Sequence, residues 1–549
     1  MRSFLRRGSA VLLAVVLAAG LAACSGDDSS GSSTPDAVGD LNAAVVHTAG
    51  GDLRGASAEG YRSFLGVPFA APPVGALRWR PPEPAAKWSG ERDATRAGSA
   101  CVQPGSIVSG GDSGNGSTTE DCLYLNVYTP TAGTARRTLP EQADKGKLPV
   151  MVWIHGGSYI NGAGSDYGPG RLVTQGGVIV VTINYRLGAM GFLSLPGLSG
   201  EQPLGAGTYG LLDQQAALKW VQKNIAGFGG DAKNVTLFGE SAGGGSVCAQ
   251  MVSPQAKGLF AKAIAESGCA LRGPTQTVAD QTGTALAARL GCRGADVVAC
   301  LRAKPAAAIR AASSSTGTSL TYAPASGGPV LPTDMESAFD RGAMQNVPLL
   351  QGTNHDEGRL FILSLGFQSL GPELYTTALQ RATGPLAGQI AAQYPLKKYG
   401  TVGDALGAIV TDATFSCPAL RTNTAAAKRS TVYAYEFNDP NAPLPKIAGY
   451  PLKAAHAAEL PYLFDLKRLG ALPPAAQTLS RQMVSYWTSF AIDGDPNTGG
   501  VPKWAPFSPG GSTMQALVPS GAKALEASAF GSEHHCDFWA QHPNVALRS

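Results

Sequence analysis

A serine set between glycines, with a strand before it and a helix-compatible run after it, is the residue of this chain best placed for covalent chemistry. Val235, Thr236, Leu237 and Phe238 are strand formers and run directly into Gly239-Glu240-Ser241-Ala242-Gly243. Residues 247–251 then suit a helix. This is the Gly-x-Ser-x-Gly spacing in a strand–turn–helix setting. Such a turn is tight, so its central residue is strained and stands exposed at the tip. A Cβ at Gly239 or Gly243 would collide with the facing backbone. The start of the helix leaves backbone N–H groups unpaired beside Ser241. A fixed serine beside an anion site can attack a carbonyl carbon and hold the negative oxygen that forms. The plain alternative is a serine that merely caps a helix; the strand and helix around it weigh against that reading.

An attacking serine needs a neutral imidazole to take its proton and a carboxylate to hold that imidazole in the right tautomer. The chain has seven histidines, few enough for elimination. His155 sits in a Gly-Gly turn, where its backbone matters more than its ring. His355 is two residues before Glu357 and cannot easily be both neighbour and partner of the acid. His47 belongs to the first hairpin, and His534, His535 and His542 to the tail. His456 remains. It follows Glu357 in the chain, giving the order serine, acid, histidine that strand–turn–helix serine sites use. For the acid, Asp356 and Glu357 compete, since both lie just past a buried strand. The developing oxyanion needs backbone N–H donors. Gly156-Gly157-Ser158 after a buried strand, and Ala242 after the serine, fit that need.

The surrounding pattern supplies a frame for these residues. Residues 148–154 and 178–184 are continuous apolar runs, as in strands buried on both faces. Residues 347–352 and 432–437 are further strand candidates. Residues 211–225 read as a helix, with Leu211, Leu218, Val221 and Ile225 on one stripe. Strands alternating with helices imply an α/β fold with a mostly parallel sheet covered by helices. Residues 44–55 suggest a hairpin. The prolines near Phe64-Leu65-Gly66-Val67-Pro68 point to an irregular packed segment and not to an inner strand.

At 549 residues, with 44% hydrophobic and 15% charged residues, the chain can bury a large core. Its net charge of +4 includes Arg2, Arg6 and Arg7 near the start. Without them the chain is close to neutral and has no basic stripe, which argues against a nucleic-acid partner. Those arginines precede an uncharged apolar run ending in small residues, as in a secretory leader. Leu21-Ala22-Ala23-Cys24 resembles a bacterial lipobox, which implies cleavage before Cys24 and a diacylglyceryl thioether on its sulfur. The expected organisation is a lipoprotein signal peptide over residues 1–23, a lipidated Cys24 with a flexible tether over 24–42, and one large domain over 43–549. The mature protein is then exported and anchored to the extracytoplasmic face of the cell membrane. Export permits disulfides. Cys101 and Cys122 bracket a Gly/Ser-rich loop, Cys292 and Cys300 a short one, and a bridge between Cys417 and Cys536 would tie down the C-terminus; spacing alone does not fix the connectivity. Cys248 reads as a small buried hydrophobe, and whether it pairs with Cys269 stays open.

Taken together, several segments resemble the type B carboxylesterase family of para-nitrobenzyl esterases, carboxylesterases and cholinesterases. They are FLGVPFAAPPVGALRW, EDCLYLNVYTP, WIHGGSYINGAG, INYRLGAMGFL, the long run from GLLDQQAALKW to FGESAGG, GTNHDEG, AAHAAELPYLF and FAIDGDPN. The resemblance implies an α/β-hydrolase fold, with a large mixed, mostly parallel sheet flanked by helices and helical insertions forming a gorge or cap. It selects Glu357 over Asp356, giving Ser241, Glu357 and His456 as the catalytic set. It implies Gly157, Ser158 and Ala242 as oxyanion donors, and the pairs Cys101–Cys122, Cys292–Cys300 and Cys417–Cys536. No cofactor or metal is implied. Ala457 stands where the family usually has glycine. The loop between Cys101 and Cys122 has no aromatic residue, so the cation–π site of cholinesterases is missing.

The function this implies is hydrolysis of small to medium carboxylic esters through an acyl-enzyme. Two alternatives accompany it. One is a non-catalytic binding protein on the same fold, which the intact serine, acid, histidine and oxyanion loop oppose. The other is the same apparatus acting on an amide, carbamate or lactone, or transferring the acyl group to an alcohol. Natural substrate and oligomeric state are not encoded legibly.

Overall fold

The computed structural model describes residues 40–105, 114–201, 204–269, 271–314, 320–467, 469–497, 500–508, 510 and 513–543. The expected signal peptide, Cys24 and most of the tether lie outside the described residues. Among those residues, no helix is long and apolar enough to cross a membrane.

Eleven strands form the main sheet: β1 (Ala56–Ala58), β2 (Tyr61–Pro68), β3 (Tyr124–Pro130), β4 (Leu148–Ile154), β5 (Ile179–Ile183), β6 (Gly230–Glu240), β7 (Lys262–Glu266), β8 (Leu349–Asn354), β9 (Val432–Phe437), β10 (Thr513–Leu517) and β11 (Lys523–Glu526). Their spatial order is β11-β10-β9-β8-β7-β6-β4-β5-β3-β2-β1. From β10 to β5 every neighbouring pair is parallel. The pairs at the two ends are antiparallel. A separate hairpin pairs Val45–Thr48 with Gly51–Arg54, and Glu91–Asp93 adds to it.

The continuous apolar strands have the reason expected of them. Along β4, Val150, Val152 and Ile154 enter one core while Met151 and Trp153 enter the other. Alternate residues face opposite sides of a sheet, so both sides are sealed. The helices that seal them are α1 (Gly170–Gly176), α2 (Tyr209–Asn224), α3 (Ala242–Val252), α6 (Cys417–Ala426) and α7 (Gln477–Asp493), while α4 (Gly358–Ser364) and α5 (Val402–Val410) lie in the insertion after β8. Leu211, Leu218 and Val221 of α2 and Val247 and Met251 of α3 pack on one face. Leu172 and Val173 of α1 and Leu479, Met483, Trp487 and Phe490 of α7 pack on the other. Residues inserted between β8 and β9 carry a third core, with Ile362, Leu379, Ile390 and Ile409.

One expectation fails here. The stretch 61–68 is a strand second from the edge of the sheet, paired with β3 as far as Pro68 and with β1 over Tyr61–Ser63. Pro68 sits at its end, where no ladder bond is lost, and the register shifts between Phe64 and Val67. Gly66 stands at φ +65° inside that irregularity. Prolines therefore bound the strand and do not forbid it.

The tail is tied to this frame by a buried imidazole. His534 Nδ1 lies 2.6 Å from Asp412 Oδ1, and Nε2 lies 2.8 Å from Glu436 Oε1. Asp412 also accepts from Tyr394 Oη at 2.7 Å, and His355 packs edge-on at 5.6 Å. Cys417 and Cys536, which follow Asp412 and His534 in the chain, are bridged. Burial lowers the His534 pKa, but the hydrogen bonds and charges of Asp412 and Glu436 outweigh it and push it up to about 9. A folded value above the unfolded value of about 6.5 stabilises fully below that pH, and the gain is lost as pH rises through 9. His534→Gln is expected to lower Tm at about pH 6, and the gap to wild type to shrink by about pH 9.5. A gap of constant size in thermal melts across that range would count against the imidazolium.

Candidate active site

Four loops at the C-terminal ends of parallel strands meet over the middle of the sheet, where open α/β sheets place their reactive groups. Ser241 follows β6, the Gly156-Gly157-Ser158 turn follows β4, Glu357 follows β8, and His456 comes from the segment after β9. Ser241 stands at φ 56°, ψ −123° as the first residue before α3. Its N–H donates to Glu266 O at 2.9 Å, and its carbonyl accepts from Gly245 N at 2.8 Å. The strain is held because the turn has no room to relax. A Cβ at Gly239 would lie 2.7 Å from Ile154 O, and one at Gly243 would strike the same carbonyl. Ser241 differs from expectation in one respect. It is buried, with 8% of its surface exposed, with His456 bonded to its hydroxyl.

His456 Nε2 lies 2.7 Å from Ser241 Oγ, and His456 Nδ1 lies 2.5 Å from Glu357 Oε2. The other carboxylate oxygen of Glu357 accepts from Asn354 N at 2.8 Å. The competing Asp356 turns away: its carboxylate meets His355 Nδ1 at 3.2 Å. Adjacent residues leave this turn in opposite directions, and only Glu357 points to His456. Phe361 and Phe415 flank the imidazole, each 5.0 Å between ring centres. Ala457 stands at φ +66°, the left-handed region where a methyl costs about 1–2 kcal/mol and glycine is free.

The turn after β4 is also strained. Gly157, Ser158 and Tyr159 have φ of 104°, 54° and 62°. Gly157 O accepts from Ile160 N at 2.9 Å and Asn161 N at 3.1 Å. Gln103 clamps Gly162 through both backbone groups, at 3.0 Å and 2.8 Å. A Cβ on Gly156 would sit 2.8 Å from the Glu240 carboxylate and 3.1 Å from Ser241 Cβ. Ala242 opens α3, so its N–H has no acceptor within the helix. His155 stacks on Tyr185 at 4.5 Å, and burial pushes its pKa down to about 4. It is a neutral structural ring.

Sequence reasoning missed the carboxylates behind this chain of groups. Glu240 Oε1 lies 3.2 Å from His456 Nε2. Burial, against the charge of His456, pushes its pKa up to about 7. Glu266, which accepts from Trp487 Nε1 at 2.9 Å, is pushed up to about 8 by burial. Glu459, bonded to Asn354, is also raised by burial and by the other carboxylates. Glu240 was visible inside the serine motif and Glu459 three residues after His456, but their convergence needed the fold. For His456 itself, burial lowers the pKa, while Glu240 and Glu357 outweigh it and raise it above 6.5.

All four expected or open cysteine pairs are bridged: Cys101–Cys122, Cys248–Cys269, Cys292–Cys300 and Cys417–Cys536. Cys248 is therefore buried as read, but bonded and not a free apolar thiol. Among the described residues, no cluster of three or more histidines, cysteines or carboxylates could hold a metal ion.

A parallel-centred sheet with a strained serine turn at its middle and an imidazole and carboxylate beside it defines an α/β-hydrolase. Comparison with known proteins specifies it further. Residues 42–539 match the carboxylesterase family. The chain is 39% identical over 472 residues to the para-nitrobenzyl esterase of Bacillus subtilis (strain 168), covering 83% of this chain and 91% of that protein. It is 36% identical over 489 residues to the fumonisin B1 esterase of Sphingopyxis macrogoltabida, covering 86% of each. The crystal structure of a Geobacillus stearothermophilus carboxylesterase superposes with a TM-score of 0.76 at 33% identity, covering 90% of this chain and all of that one. The chain belongs to the carboxylesterase family, whose members are serine hydrolases with a catalytic triad.

A base that must be neutral gives activity that rises with pH through its pKa. The acid limb of kcat/KM is expected above about pH 6.5, and Glu240→Gln or Glu357→Gln should each move it to lower pH. Glu357→Gln should also lower kcat by up to about 10⁴, as loss of the tautomer-fixing carboxylate does elsewhere. An acid limb unmoved in Glu240→Gln would show that this carboxylate does not act on the imidazole.

Proposed function

We propose that this carboxylesterase hydrolyses small to medium carboxylic esters through an acyl group carried on Ser241, at the cell envelope. The observation that carries the site assignment is the unbroken chain from Glu357 through His456 to Ser241, with contacts of 2.5 Å and 2.7 Å. In this reading His456 Nε2 takes the hydroxyl proton as Ser241 Oγ attacks the ester carbonyl. Glu357 holds the Nδ1 proton and steadies the imidazolium. The N–H groups of Gly157, Ser158 and Ala242 receive the oxyanion. His456 then returns the proton to the departing alcohol. Water, activated by the same imidazole, releases the acid.

The envelope location rests on the leader and on Cys24, read from the sequence.

Two experiments test the proposal. Para-nitrophenyl acetate, butyrate, octanoate and palmitate are offered to the protein beside Ser241→Ala; turnover that falls by at least about a thousandfold in the variant is expected. No wild-type turnover above the variant on any of the four would sink the general-esterase reading. Expression with a radiolabelled fatty acid, wild type against Cys24→Ser, checks the anchor. Label and membrane association are expected in the first and absent in the second.

A further inference from the structure

Resting on the ester-hydrolase reading, we infer that Thr411, in a π-helical turn beside the acid loop, is a positioning residue for the contact between Glu357 and His456. Its hydroxyl fixes the peptide plane that follows Glu357 and so aims the carboxylate at the imidazole.

The argument starts from the turn itself. Helices α5 and α6 are joined without a break by a wide turn, Thr411–Ser416. Cys417 N–H donates there to Asp412 O, five residues back and not four. Such turns are rare, have poorer hydrogen-bond geometry than an α-helix, and concentrate at functional sites. Three side chains of this one meet three different groups. Thr411 Oγ1 reaches the loop that carries Glu357. Phe415 stands against the His456 imidazole, 5.0 Å between ring centres. Asp412, the ionisable neighbour of Thr411, is turned to Tyr394 and His534. Without the extra residue everything beyond the turn would rotate by about 100°, and Thr411 and Phe415 could not both keep their partners.

Thr411 is buried, and its hydroxyl bonds twice. It donates to Gly407 O at 2.9 Å and accepts from Gly358 N–H at 2.9 Å. Gly358 opens α4, so its N–H has no acceptor within that helix; Thr411 supplies one. The approach needs a glycine, since a Cβ on Gly358 would lie 2.0 Å from Gly407 O. Gly358 N–H belongs to the same peptide group as Glu357 O, which accepts from His456 N–H at 3.3 Å. A peptide group is planar. Bonds on its two opposite edges therefore fix its orientation, and with it the direction in which Glu357 presents its side chain. Asn354 N–H then holds one carboxylate oxygen while the other meets His456. Glu240, on the serine turn, is the second carboxylate against His456, at 3.2 Å.

The test compares wild type with Thr411→Val, Thr411→Ser and Thr422→Val. Thr411→Val keeps the shape and takes the acceptor from Gly358 N–H. Its kcat on para-nitrophenyl butyrate is expected to fall about 10- to 100-fold with KM within about twofold. Its acid limb of kcat/KM should move to lower pH, by no more than Glu357→Gln moves it, because a misaimed carboxylate supports the imidazolium less. Thr411→Ser keeps the hydroxyl and should restore both. Thr422→Val removes another buried hydroxyl, bonded to Pro418 O within α6, and should leave kcat within about twofold and the limb in place. A wild-type kcat and an unmoved limb in Thr411→Val would overturn the inference, as would an equal displacement in Thr411→Ser. If wild type turns over no ester, the esterase reading fails separately, and the same displacement is sought in the pH dependence of Ser241 labelling by a fluorophosphonate. Hydrogen exchange of the Gly358 amide in wild type gives a reading independent of how the variants fold. Protection beyond about an hour is expected, and exchange within seconds would overturn the inference.

Discussion

The rest of the structure depends on a turn that cannot relax. β6 ends at Glu240 and α3 begins at Ala242, leaving Ser241 alone to reverse the chain at φ 56°. A non-glycine residue pays for that conformation, and the surrounding packing must hold it there. Ile154 O presses on both flanking glycines, and Glu266 O fixes the serine N–H. These contacts come from the two strands on either side of β6. The sheet therefore acts as the vice for the turn, and its continuous apolar strands are what give the vice its rigidity.

Electrostatics around the turn are arranged on the same scale. Four glutamates, Glu240, Glu266, Glu357 and Glu459, are buried in one region. Burial raises Glu240, Glu266 and Glu459, so protons are retained where four full charges could not coexist. Against this background His456 gains a proton more readily than an isolated buried imidazole would. Its partner Glu357 is oriented by Asn354 N–H, and Asn354 also binds Glu459. One asparagine at the end of β8 thus connects the oriented carboxylate to the raised ones. The 156–162 turn is held separately, by Gln103 on Gly162 N–H and by Tyr185 on His155 O.

Much of this was legible in the chain itself. The strands over Leu148–Ile154 and Val432–Phe437 have the expected boundaries, because a strand buried on both faces needs an unbroken apolar run. The serine turn was legible because strain demands glycine on both sides, and composition records that demand. The strand at Tyr61–Pro68 was not, because its prolines mask a pairing supplied by a distant partner, Tyr124–Pro130. Glu240 was in plain view, yet nothing local tells a carboxylate beside the serine that it will face His456 Nε2.

What the sequence by itself determined is the set of local constraints: apolar period, glycine at the tight turn, and the chain order of serine, acid and histidine. Each follows from backbone sterics and from which residues can be hidden from water. What only the tertiary structure decided is direction and distance. It sent Asp356 to His355 and Glu357 to His456, buried Ser241, and placed Cys269 beside Cys248. Glu357 and His456 stand 99 residues apart and Ser241 and His456 stand 215 apart, and no local pattern carries their meeting.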